Sequence, residues 1–221
     1  MTQQLLARHG VVTREAAVAD GIAGGFGLIY PVLKGLEENG RVRRGYFVAG
    51  LGATQFALPG ALDLLRSLRD APDDPEIAVL AATDPANPYG AALKWPSRRS
   101  TQSSQTTPES EGSRGPTRSV GATVILVNGA LAAYLARGDR QLMTFLPDIE
   151  PERSRAGRAV ARVLIERARS GIDSPRGMLI EEIDGTAPAS HPIATMLTQA
   201  GFVAGAMGMQ ATFRRAGNGN G

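Results

Sequence analysis

Within residues 1–60, three short helix-forming runs punctuated by glycine are followed by two strand-forming runs, an order that leaves few folds open. A helix over Thr2 to Arg8 stops at Gly10, and a second starts after Thr13, whose hydroxyl can cap the exposed amides of Arg14 to Ala19. The third, Phe26 to Asn39, puts Ile29, Val32, Leu33 and Leu36 at i, i+3, i+4 and i+7, one apolar face. Gly40 supplies its stop, and Pro31 is tolerable only in a first turn. RVRRGYFV (41–48) and ATQFALP (53–59), joined by AGLG, then read as a hairpin placed like a wing. Helix, helix, helix, wing is the winged helix-turn-helix, assigned here to 1–70 with a last helix from Gly60 to Asp70. So few residues precede Gly10 that a truncated first helix is expected, as in a fragment of something longer.

After APDDPE, a plausible boundary, residues 77–215 carry many short strands. They are expected at 77–83, 122–128, 130–136, 141–147 and 177–185, with a closing hairpin over 202–215. Asn128-Gly129 turns an otherwise long apolar run into a hairpin rather than a membrane span. Helices are expected from Pro151 to Ser170, with Ala156, Ala159, Val160, Val163 and Leu164 on one face, and from His191 to Ala200. Residues 97–120 lack apolar periodicity and predict a disordered loop, and 216–221 a flexible tail. The fold class is α+β: a winged helix followed by a small β-barrel or curved antiparallel sheet with two packed helices.

Several chemistries are excluded by residue type. With no cysteine, and His9 and His191 as the only histidines, disulfides and an ordinary zinc site are out, and the metal-site expectation is none. No GxxxxGK[ST] loop occurs, and the glycines of GIAGGFG (21–27) have no lysine after them, so the chain has no ATPase motif of its own. The N-terminus has no signal-peptide core, which sets the expected location as cytoplasmic. Ser190-His191 lacks a GxSxG turn and reads as a helix cap followed by Pro192, and Glu181, Glu182 and Asp184 as the edge of a solvated strand ending in a turn.

Nucleic acid is the better-supported ligand. The net charge is only +3, but Lys34 and Lys94 are the only lysines, so nearly every cation is arginine, suited to bidentate phosphate contact. The wing bears Arg41, Arg43 and Arg44 beside Tyr46 and Phe47, and the third helix offers Lys34, opposed by Glu37 and Glu38. The run ATDPANPYGAALKWP (82–96) sets Asp84 before an aromatic pair, Tyr89 and Trp95, with Lys94, Arg98 and Arg99 adjacent; rings that stack on bases and cations that neutralise phosphates are the elements of a single-strand surface. Arg155, Arg158 and Arg162 make the 151–170 helix a further cationic face.

Three stretches, residues 5–60, ATDPANPYGAALKWP (82–96), and VILVNGALAAYLARG (124–138) with IEEIDG (180–185), resemble the C-terminal region of the large helicase-related (Lhr) ATP-dependent DEAD/DEAH-box helicases. That resemblance implies the last winged helix and β-barrel module of a DNA-repair helicase, binding single-stranded DNA, with ATP and Mg used by a helicase core in the same or a neighbouring polypeptide and no cofactor in this chain. It also implies a likeness to winged-helix and β-barrel DNA glycosylases, some members being credited with uracil removal. Their Gln-x-Gln or Gln-x-Asp motif is absent here, which leaves Asp84 as the candidate catalytic acid. A structural oligomerisation module is the third reading.

Overall fold

In the computed structural model, which describes residues 1–52, 54–70, 72, 74–97, 115–170, 177–211 and 213, local capping sets the rhythm of the N-terminal part. Helix α1 (Thr2–His9) closes on Gly10, whose amide reaches the Leu6 carbonyl at 2.8 Å. After strand β1 (Val11–Val12), Thr13 Oγ1 accepts the Ala16 amide at 3.1 Å and starts α2 (Arg14–Ala19). Helix α3 (Gly25–Glu38) ends at Gly40, where the Arg41 amide bonds back to the Leu36 carbonyl at 2.9 Å. Strands β2 (Arg43–Gly45) and β3 (Gln55–Ala57) form the wing, with β1 added in the antiparallel order β1-β3-β2, and α4 (Pro59–Ser67) follows.

Phe26, Ile29 and Leu33 of α3 pack on Leu5, Leu6, Val12 and Phe56, with Tyr30 and Leu36 at the margin. Of the expected stripe Ile29, Leu33 and Leu36 belong to this core, and Val32 departs from it at 50% exposed, Phe26 and Tyr30 packing instead. Pro31 also departs from expectation, since it lies well inside α3 and not in the first turn. Both Pro31 and Gly27, whose carbonyl loses its helical partner to the proline, face outward, so water can replace the missing bond. The wing strands are shorter than the sequence runs because a side chain substitutes for ladder pairing. Gln55, fully buried, accepts the amides of Phe47 and Val48 at 2.9 and 2.8 Å and donates to the carbonyls of Val48 and Gly52, both at 2.9 Å.

By chain contacts the protein forms two units, Met1–Ala71 with Pro88–Trp95, and Pro72–Asn87 with Pro96–Gly221. In the second, β4 (Ile77–Ala81), β5 (Thr123–Val127), β6 (Ala130–Leu135), β7 (Gln141–Thr144) and β9 (Glu182–Ile183) make a five-stranded sheet in that order. It is antiparallel except for the β7–β9 pair. Asn128 and Gly129, at φ 50° and 77°, turn β5 into β6 as the dipeptide requires. Strands β10 (Val203–Gly205), β11 (Gly208–Ala211) and β8 (Met178–Ile180) form a second sheet.

Both sheets are open, so the unit is built of one mixed and one antiparallel open sheet and not a closed barrel. The division between the two sheets falls at Glu181. The run 177–185, expected as one strand, is two: β8 pairs with β11, β9 pairs with β7, and at the break the amides of Glu181 and Glu182 both turn to the Arg140 carbonyl, at 2.8 and 3.2 Å. Helix α5 (Glu152–Arg169) buries Ala156, Ala159, Val160, Val163 and Leu164 as expected, and also Ala161, Ile165 and Ala168. Helix α6 (Ala194–Ala200) begins later than expected, and Ser190 closes a 3-10 turn, Pro188–Ser190, instead of capping it.

Asp184 is drawn inward from the expected solvated edge. Its carboxylate accepts the Thr144 amide at 2.9 Å, the Thr144 hydroxyl at 2.5 Å and His191 Nε2 at 3.1 Å. Burial pushes its pKa up, but the hydrogen bonds from His191 and Thr144 outweigh burial and hold it below the ordinary carboxylate value.

Both polar anchors can be tested by substitution. Gln55→Leu leaves four wing groups without their partner and should lower unfolding stability by about 2 kcal/mol, with faster hydrogen exchange at Phe47 and Val48; unchanged exchange would remove the organising role. Because the folded pKa of Asp184 is depressed, its contribution is present above the unfolded value near pH 4 and fades as pH falls through the folded one. Asp184→Asn should therefore lower stability at pH 7 by about 1–3 kcal/mol and flatten the acid limb of a denaturation series against pH.

Candidate nucleic-acid interface

The winged unit presents fewer unengaged cations than its sequence suggests. On β2, Arg44 Nε lies 3.2 Å from Glu37 Oε1 of α3, and Lys34 Nζ lies 3.9 Å from Glu38 Oε1. The two acids that would repel a phosphate are thus answered by two of the expected phosphate contacts. Arg41 and Arg43 are exposed and make no ion pair among the described residues. Between the wing strands, Tyr46 is 62% exposed, and its Oη accepts the Gly50 amide at 3.0 Å, which fixes the ring at the loop base.

The run 82–96 is tightly folded, and the division between the units falls inside it, after Asn87. In the first unit, Tyr89 and Trp95 stack on each other, centroids 6.2 Å apart and planes at 22°. The Gly90 amide bonds to Leu93 O at 2.7 Å, and a Cβ on Gly90 would sit 2.5 Å from Trp95 Nε1, so only glycine allows the indole to close over the turn. Both rings are half-buried and Lys94 is exposed.

In the second unit, Asp84 Oδ1 accepts the Ala86 amide at 2.8 Å, the turn-capping bond an aspartate makes two residues on. Arg118 spans this turn, donating to the carbonyls of Thr83, Asp84 and Asn87 at 3.1, 3.0 and 2.7 Å. The Thr117 carbonyl accepts the Tyr134 hydroxyl at 3.1 Å. Of the loop expected to be disordered over 97–120, residues 98–114 lie outside the described residues, and Arg118 near its C-terminal end is an anchor, since one guanidinium can satisfy several carbonyls. Arg98 and Arg99, like the tail 216–221, lie outside the described residues.

Helix α5 sorts its arginines by role. Arg153 donates to the carbonyls of Pro147 and Asp148, and Arg167 grips Asp139 through Nε and Nη2 at 2.8 and 3.0 Å. Arg155, Arg158 and Arg162 are exposed and make no ion pair among the described residues. At about 100° and 1.5 Å per residue they fall within roughly 60° of one another and span about 10 Å along the axis. Glu166 shares the stripe, as does Arg169, whose guanidinium lies 5.5 Å from the Phe213 ring centroid. At the head of the helix Glu150 accepts the Ser154 amide at 3.1 Å, and its pKa is lowered by that residue's side-chain and backbone hydrogen bonds and then by Arg153 and Arg158.

Sequence reasoning missed Gln55 and Arg118, because a polar residue in a short strand and an arginine in a polar run look alike whether solvated or structural. Among the described residues no group of histidine and carboxylate side chains is placed to hold a metal, and no helix is long and apolar enough to cross a membrane.

Residues 1–77 match the family model described as "Large helicase-related protein, winged-helix domain". Over 83% of its length the chain is 45% identical to the "Lhr helicase/ probable uracil glycosylase" of Mycolicibacterium smegmatis, and over 95% it is 29% identical to the "Lhr helicase/uracil glycosylase" of Escherichia coli. It spans only 11% and 13% of those two proteins. With its winged helix matched by the family model and most of its length aligned to these helicases, the chain belongs to the large helicase-related family and corresponds to a C-terminal region of it.

Proposed function

We propose that the chain is a nucleic-acid-binding accessory module of a helicase, engaging single-stranded DNA in repair, with the motor supplied by a helicase core in the same or a neighbouring polypeptide. The observation that carries this reading is the α5 stripe, in which Arg155, Arg158 and Arg162 are exposed and aligned and form no salt bridge among the described residues, Glu150 acting on Arg158 only at longer range. Three aligned guanidiniums on a rigid helix suit a phosphate backbone and carry no base code, so binding is salt-dependent and tolerant of sequence. Arg41 and Arg43 on the wing add contacts, and the Tyr89–Trp95 pair beside Lys94 offers a stacking surface. ATP and Mg are assigned to the helicase core, since this chain has no phosphate loop. The expected compartment is the cytoplasm.

Replacing Arg155, Arg158 and Arg162 together by alanine should reduce the slope of log Kobs against log salt for a single strand by about 2, roughly 0.7 for each phosphate no longer neutralised. Fluorescence anisotropy with a labelled oligothymidine measures it, and an unchanged slope would return the stripe to a solvated face.

A second reading, DNA glycosylase acting on uracil, is favoured by the names of both relatives. Asp84 is the candidate acid. Asparagine at 84 still accepts the Ala86 amide, so Asp84→Asn removes the charge and spares the turn. Excision from a uracil-containing single strand, read as alkali-labile breaks, should then be abolished while DNA binding persists; cleavage equal to the parent chain would take Asp84 out of the mechanism.

A further inference from the structure

A second convergence of cations lies away from the α5 stripe. The β6–β7 turn and the last turn of α5 meet the ends of β8 and β11 around an open groove of about 650 Å³, lined by Arg137, Arg140, Arg167, Met178, Leu179 and Gln210. Two of the three guanidiniums are already oriented. Arg167 is held in plane by its two bonds to Asp139, which commit two of its five N–H donors, and Arg140 pairs with Glu181. Arg137 makes no ion pair among the described residues, and its stem lies over Gly121, where a Cβ would come within 3.1 Å of Arg137 Cγ. Among the described residues of the lining Asp139 is the one carboxylate, and with Glu181 already on Arg140 the groove keeps one unanswered positive group, Arg137, beside Leu179 and the buried Met178.

We infer that this groove binds a nucleoside 5′-phosphate, the phosphate on Arg137 and Arg167 and the nucleoside against Met178 and Leu179. Planar guanidiniums hold phosphate oxygens through paired donors, and the Asp139 bond spares Arg167 the entropy of being fixed on binding. The space suits one small ligand and not a helix or strand. The phosphate belongs either to a free nucleotide or to the 5′ end of a strand. Choosing a nucleotide over other phosphate esters rests on the nucleic-acid reading above; the groove itself stands on its own geometry.

The test is a titration of the full chain with thymidine 5′-monophosphate, following the backbone amides of Gly121, Gly138 and Gly177 by NMR, with thymidine as control. Saturable shifts with the monophosphate alone, weakened at least roughly tenfold in Arg137→Ala, are expected; the exposed Arg137 leaves the rest of the spectrum unchanged. No saturation at millimolar nucleotide, or equal affinity in the variant, would overturn the proposal. Tighter binding of a 5′-phosphorylated oligothymidine than of its 5′-hydroxyl form assigns the site to strand ends, and equal binding of the two, with the monophosphate still held, assigns it to free nucleotide. The Arg155, Arg158 and Arg162 triple alanine variant should leave the groove titration intact whether or not it changes strand binding, so failure of either reading is seen separately.

Discussion

Nine of the eighteen residues of α5 are buried. The helix packs on β5, β6, β8 and α6, and the burial of Val160, Val163, Leu164 and Ile165, each contributing roughly 1.5–3 kcal/mol, ties the two open sheets to one element. That burial restricts where charge can lie. With so much of the surface covered, only a narrow stripe faces water, and arginine occupies most of it. The same packing that holds the second unit together thus aligns its unengaged cations, with no special device needed to bring them into register.

Elsewhere the protein uses charge to make shape. Arg44 answers Glu37, Arg167 answers Asp139, Arg140 answers Glu181, and Arg153 and Arg118 are taken up by backbone carbonyls. A half-exposed pair of this kind adds little stability, typically under about 1 kcal/mol, yet it fixes the direction of a long side chain. Arg167 shows the use: a guanidinium locked by one carboxylate becomes a positioned donor for a second anion. Net charge therefore says little about which cations face a ligand.

Polar side chains also stand in for secondary structure. Gln55 replaces ladder bonds in the wing, Arg118 replaces them around the 82–87 turn, and Asp184 with Thr144 and His191 ties β7 to the end of β9. Each satisfies buried or half-buried backbone groups that the short strands leave over, which is why strands of two to four residues persist at these points.

Read alone, the sequence determined the elements whose signals are local. Thr13 and Gly40 marked helix ends, Asn128-Gly129 marked a hairpin, and the 3.6-residue period of α5 named its core face, because caps, turns and periodicity act over a few residues. The winged-helix order and the stripe arginines were legible for the same reason. Tertiary structure alone decided the rest: that 177–185 divides between two sheets at Glu181, that Val32 faces water, that Arg118 is an anchor, and that Arg137, Arg140 and Arg167 share one groove. Those outcomes depend on partners distant along the chain, which composition and spacing do not encode.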